Sequence, residues 1–173
     1  LAQKGHDVRV IIPEFNTIPQ EYMQKLTHVC DFEVQLGWRR QYCGIEMLEK
    51  DGVKWYFMDN KYYFGRPYIY GMGGNEYERF GFFCRGVLNM LPLIDFQPDV
   101  IHAHDWQSGM IPALLKIQYA HLPFYANIRT VFTIHNLQYQ GIFGIREVQD
   151  ILGLGDSLWI EDKLECFGCA NFL

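Results

Sequence analysis

Apolar and polar positions alternate along this chain in blocks that switch period from two to about three and a half. Asp7-Val-Arg-Val-Ile-Ile12 reads as a buried strand stopped by Pro13. Leu1-Ala-Gln-Lys-Gly5 before it reads as the last turn of a helix closed by a glycine cap. A short helix is predicted around residues 20–25. Three further runs, Glu33–Trp38, Tyr42–Leu48 and Val53–Met58, read as strands, the last two joined by an Asp51-Gly52 hairpin. They predict a small antiparallel excursion whose final strand rejoins the main sheet. Residues 76–91 form the clearest helix, with Phe80, Phe83, Cys84, Val87, Leu88 and Leu91 on one stripe. This stripe predicts core, and Pro92 and Pro98 mark the exit.

Two strands then end in polar clusters. Val100-Ile101 leads into His102, His104, Asp105 and Trp106, and Thr130-Val-Phe-Thr-Ile134 leads into His135, Asn136 and Gln138. Ser108 is expected to cap the helix between them, with Pro112 in its first turn. Residues 145–152 and 158–173 both read as helical. The alternation predicts an α/β fold with a mostly parallel sheet and helices on both faces. In such sheets ligands bind beyond the carboxyl ends of strands, so these two ends are the candidate functional centre.

Composition narrows the function. The chain has 173 residues, 49% apolar and 20% charged, which is globular. Net charge is −5 with no basic run, so no nucleic-acid partner is expected. No apolar run approaches the ~20 residues of a membrane span. Five irregularly spaced cysteines do not form a disulfide framework and fit a reducing compartment.

Several motifs have a bland reading beside a functional one. His102 and His104 lack a third metal ligand, so no metal is expected. Cys166-Phe-Gly-Cys169 neither follows a strand into a helix nor has two further ligands, and it reads as two small core residues. Gly71-Met-Gly-Gly74 lacks the lysine of a phosphate loop. The aromatic and glycine-rich span 60–75 reads first as a loop packed by its own rings and second as a sugar-contacting lid. His135-Asn136 reads equally as a turn cluster or as donors and acceptors for a hydroxyl-rich ligand.

Asp99-Val-Ile-His-Ala-His-Asp-Trp-Gln-Ser-Gly109 and Val131-Phe-Thr-Ile-His-Asn-Leu-Gln-Tyr-Gln-Gly-Ile-Phe143 resemble the amino-terminal domain of bacterial glycogen synthase and plant starch synthase. Lys4–Pro13, Tyr62–Phe83 with Glu78-Arg79-Phe80, and Leu164-Glu165 with Gly168 and Asn171–Leu173 extend the resemblance over nearly the whole chain. The last of these is similar to a helix of the family. The resemblance implies a retaining glucosyltransferase with two Rossmann-like domains, the GT-B architecture, and residues 1–173 as one partial domain. It implies ADP-glucose as donor, an α-1,4-glucan as acceptor, no cofactor and a cytoplasmic or, in a plant, plastid setting. His135 and Asp105 would be catalytic, and Asn136, His104, Tyr70 and Gln138 would bind substrate. The family's Lys-x-Gly-Gly-Leu loop would precede Leu1 and its second domain would follow Leu173, so the chain is expected to be inactive alone. Gly74-Asn-Glu-Tyr77 replaces an aspartate-rich stretch of the family. A UDP-sugar-dependent relative and a non-catalytic glucan-binding domain are the alternatives.

Overall fold

Strand β1 (Arg9–Pro13) is entered from a 3-10 turn, Ala2–Lys4, closed by Gly5 at φ +86°. The structure is a computed structural model that describes residues 1–70 and 74–173. Gly71, Met72 and Gly73 of the glycine run lie outside the described residues. The chain divides into two units, Leu1–Glu33 with Tyr42–Gly74, and Val34–Gln41 with Asn75–Leu173.

In the first unit, β1 is followed by α1 (Gln20–Met23), then β2 (Thr27–Leu36), β3 (Arg39–Lys50) and β4 (Val53–Asp59). The sheet is ordered β1-β4-β3-β2, and the β2–β3 tip, residues 34–41, is counted with the second unit. Strand β4 runs parallel to β1, Ile11 opposite Tyr56, and antiparallel to β3, Lys50 opposite Val53. The Asp51-Gly52 turn has φ +55° and +72°, the twist that a two-residue hairpin needs. The predicted excursion and its return are therefore both present. A short helix, α2 (Lys61–Phe64), interrupts the expected aromatic loop. Asn60 starts it by accepting from the Tyr63 N–H at 3.0 Å while donating to the Tyr42 carbonyl at 2.7 Å.

The second unit is built on α3 (Glu76–Leu93). Its predicted stripe is buried, and Phe82 and Met90 off the stripe are buried too. Pro92 lies inside the last turn of α3 instead of beyond it. A proline cannot donate to the carbonyl four residues back, that of Leu88. The Tyr125 hydroxyl donates to that carbonyl at 2.9 Å. Next come β5 (Val100–His104), α4 (Asp105–Ser108), α5 (Met110–Leu114), a π-helical turn Leu115–Tyr119 and β6 (Arg129–Thr133). Strands β5 and β6 are parallel neighbours.

After β7 (Ile142–Phe143), α6 (Ile145–Leu152) has the predicted bounds. The hairpin tip 34–41 packs on it: the Gly37 N–H donates to the Ile151 carbonyl at 3.0 Å and Arg39 pairs with Asp150. The predicted helix over 158–173 is not formed. A 3-10 turn Asp156–Leu158 leads to β8 (Glu165–Cys166) and β9 (Cys169–Asn171), joined to β7 in an antiparallel sheet ordered β7-β9-β8. The expected single, mostly parallel sheet is corrected accordingly. The described strands form one mixed sheet, one parallel pair and one antiparallel sheet within an α/β fold. No described helix is long and apolar enough to cross a membrane.

Candidate active site

The register of β5 and β6 brings the two polar strand ends together, with His104 opposite Thr133. His102 and His104 alternate onto one face, and their rings lie 4.1 Å apart between centroids. The His102 Nε2 is 2.7 Å from the Thr133 hydroxyl. The His104 Nδ1 is 3.0 Å from the His135 Nε2, and those two rings stack at 5.3 Å. A nitrogen–nitrogen contact of this kind needs one protonated and one bare nitrogen, so it fixes the tautomers of both rings relative to each other.

Asp105 follows directly and adopts φ +53°, a left-handed conformation rare for any residue but glycine. Its neighbours explain why it stays there. Trp106 is buried, edge-on to Phe80 at 4.8 Å and near Phe143 at 5.8 Å. Ser108 does not cap the following helix as expected. Its hydroxyl accepts from the His104 N–H at 2.6 Å and donates to the His104 carbonyl at 2.7 Å, closing the turn around Asp105. The Asp105 Oδ1 accepts from the backbone N–H groups of His135, at 2.6 Å, and Asn136, at 3.3 Å. The carboxylate therefore holds the start of the second polar cluster from the end of the first strand.

That cluster is a tight loop. The Asn136 side chain accepts from the Gln138 N–H at 2.8 Å, and Gln140 donates to the Leu137 carbonyl at 3.0 Å. The loop leaves over Trp106 at Gly141, which has φ +64°, and a Cβ there would lie 2.6 Å from the indole. His135, Asn136, Gln138 and the histidine pair are all exposed to solvent. Tyr70 belongs to the first unit and is half-exposed, at 51%. Of the six residues expected at the site, five thus share one rim of the second unit. Ser108, Thr133, Gly141 and His102 support that rim and were not singled out as doing so. Only the face-sharing of His102 with His104 was legible. Among the described residues, no three His, Cys, Asp or Glu side chains gather as a metal would require.

Burial, then His102 and His135, holds the His104 imidazole below its ordinary value of 6.5, against the opposing pull of Asp105. The neutral ring is therefore the form that the fold favours. Its contribution is fully present above that ordinary value and is lost as pH falls through the lowered one. We expect acid to open the His104–His135 contact below the usual imidazole range. A ring-nitrogen NMR titration checks this, and a His104 that titrates at or above its ordinary value would refute it.

The whole chain, residues 1–173, matches the starch synthase catalytic domain family. The chain belongs to this family. It is 51% identical over 173 residues to a glycogen synthase of Geobacillus stearothermophilus, covering 100% of the chain and 36% of that protein. A Desulfitobacterium hafniense glycogen synthase is 44% identical over 174 residues, again with 100% of the chain and 37% of the relative covered. Among solved structures, the catalytic domain of starch synthase IV from Arabidopsis thaliana, bound to ADP and acarbose, superimposes with a TM-score of 0.86 at 25% identity. That match covers 98% of this chain and 36% of the solved chain. The chain therefore spans little more than a third of the length of these family members.

Proposed function

We propose that this chain supplies the sugar-facing rim of a glycogen or starch synthase. The full protein would move glucose from ADP-glucose to the 4-hydroxyl at the non-reducing end of an α-1,4-glucan. The C1–O bond to ADP breaks, a bond from C1 to the acceptor oxygen forms on the same face, and the acceptor's proton passes to the departing diphosphate oxygen, so configuration is retained. The transition state resembles an oxocarbenium ion, and fixed dipoles aimed at it carry most of the acceleration. His135 contacts the transferred glucose, with Asn136, Gln138 and His104 beside it. Asp105 acts by positioning His135 and Asn136 through their amides.

The observation that carries this reading is the Asp105 carboxylate gripping the His135 and Asn136 N–H groups. It pre-organises an exposed polar loop at two parallel strand ends, the place where α/β sheets bind ligands. ADP and acarbose bound to the Arabidopsis relative are consistent with a nucleotide-sugar donor and a glucan acceptor. We further read residues 1–173 as part of one Rossmann-like domain of a two-domain GT-B enzyme, which accords with the chain's 36% share of its relatives. A cytoplasmic setting, or a plastid one in a plant, goes with this substrate pair.

The test offers ADP-glucose and UDP-glucose side by side to the full-length protein with glycogen as acceptor. Transfer from ADP-glucose is expected, with His135→Ala lowering kcat/KM about 100-fold. Transfer from UDP-glucose alone would move the protein to a UDP-sugar enzyme. An unaffected His135→Ala variant would remove the site from this loop.

A further inference from the structure

Cys166-Phe-Gly-Cys169 is the motif that the glucosyl site leaves unused, and the fold places it differently from its sequence reading. The pair does not sit within a helix. Strands β8 and β9 set Cys166 directly opposite Cys169 in an antiparallel register. Phe167 and Gly168 make the turn, at φ +51° and +78°. Side chains of directly opposed residues project from the same face, with Cβ atoms about 4.5–5.5 Å apart. A disulfide needs about 3.5–4.5 Å, a small adjustment for a two-residue hairpin at a surface. Glu165 reinforces the turn by accepting from the Gly168 N–H.

Burial separates Cys43 and Cys84 from this pair. Both cysteines are free and partly exposed, and Phe167 at the tip is 99% exposed. Cys84 is buried, which pushes its thiol up to about 12, and burial raises the Cys43 thiol as well. Cys30 is partly exposed, and burial raises its thiol too. Such thiols form little thiolate, the species that attacks a disulfide.

We propose that Cys166 and Cys169 are a reversible dithiol–disulfide site that closes by exchange with a small-molecule disulfide of the glutathione type. One cysteine thiolate attacks the small disulfide and releases one of its halves as thiolate. The second cysteine thiolate then attacks the mixed disulfide and releases the other half. Two S–H bonds and one S–S bond are lost, one protein S–S bond forms, and the two protons end on the two released thiols.

Closure reaches the neighbouring site through β9. The Asn171 side chain donates to Gln140 at 2.9 Å, and the Phe172 N–H donates to the Gly141 carbonyl at 3.1 Å. Ile142 and Phe143 pair with Asn171 and Ala170. The hairpin is thus bonded to the segment that leads away from His135, and locking it slows the opening of that segment. The dithiol site itself rests on the hairpin geometry and stands apart from the glucosyl reading.

The purified protein is incubated with oxidised glutathione, its remaining thiols are alkylated under denaturing conditions, and the peptides are weighed. The peptide holding both cysteines is expected to lose two hydrogens, while Cys30, Cys43 and Cys84 are alkylated. Dithiothreitol restores both thiols. In Cys169→Ser the closed form disappears and Cys166 carries glutathione instead. Amide exchange across 140–143 is expected to slow at least about threefold on oxidation. Alkylation of both cysteines, a glutathione on each, or closure of Cys30 with Cys43 in their place would overturn the proposal.

Discussion

Asp105→Ala is expected to lower glucosyl transfer by the full-length protein about 10²- to 10³-fold, and Asp105→Asn by less than about tenfold. The reasoning is geometric. The Asp105 Oδ1 receives two backbone N–H groups, and those groups set the start of the loop that presents His135 and Asn136. Alanine removes the acceptor and leaves a residue at φ +53° with no side-chain compensation. Asparagine keeps an oxygen where the amides point and tolerates the left-handed conformation. A role resting on negative charge would make asparagine as damaging as alanine. Steady-state kinetics on both variants separates the two roles. Equal losses would rule out the positioning role.

The second large effect is on stability. Gly109 stands between α4 and α5 with an ordinary helical φ of −63°, so its backbone does not demand glycine. Its surroundings do. A Cβ there would lie 1.6 Å from the Phe172 carbonyl oxygen and 2.9 Å from its carbon, both backbone atoms. No rotamer change relieves that overlap. Either the helix junction or the β9 segment must move, and Phe172 then leaves its 5.0 Å edge contact with Phe143. Overpacking of this kind costs about 3 kcal/mol or more, roughly 6–12 °C in melting temperature for a chain of this size. Gly155 is the control: its φ is −70° and open space surrounds its Cβ position. Gly155→Ala should leave stability unchanged or raise it by about 0.4–1 kcal/mol. Thermal denaturation of the two variants checks both, and an unchanged melting temperature for Gly109→Ala would contradict the packing argument.

Local patterns carried most of the fold. Helix α3, α6, the Asp51-Gly52 hairpin and the parallel pair β5–β6 were legible because period, turn chemistry and burial agree there. The span 158–173 was not. The turn at Cys166–Cys169 puts phenylalanine where asparagine or glycine normally signals a hairpin. Pairing of β9 with β7 outweighed the local preference, and nothing near residue 170 in sequence announces a partner near residue 142. The site divides in the same way. Its residue types and strand-end placement could be read from the chain. The bonds that define Asp105, His104 and Ser108 could not, because two of the three span about thirty residues and the third depends on a left-handed turn.

Pro92 and Tyr125 illustrate a further kind of linkage. The proline removes a donor from the last turn of α3, and a hydroxyl from a distant loop fills the vacancy at the Leu88 carbonyl. Each residue therefore alters the selective value of the other. Where position 92 regains an N–H, the hydroxyl at 125 becomes dispensable and phenylalanine serves as well. While Pro92 remains, losing that hydroxyl strands a buried carbonyl. The two positions are thus coupled through a single carbonyl oxygen.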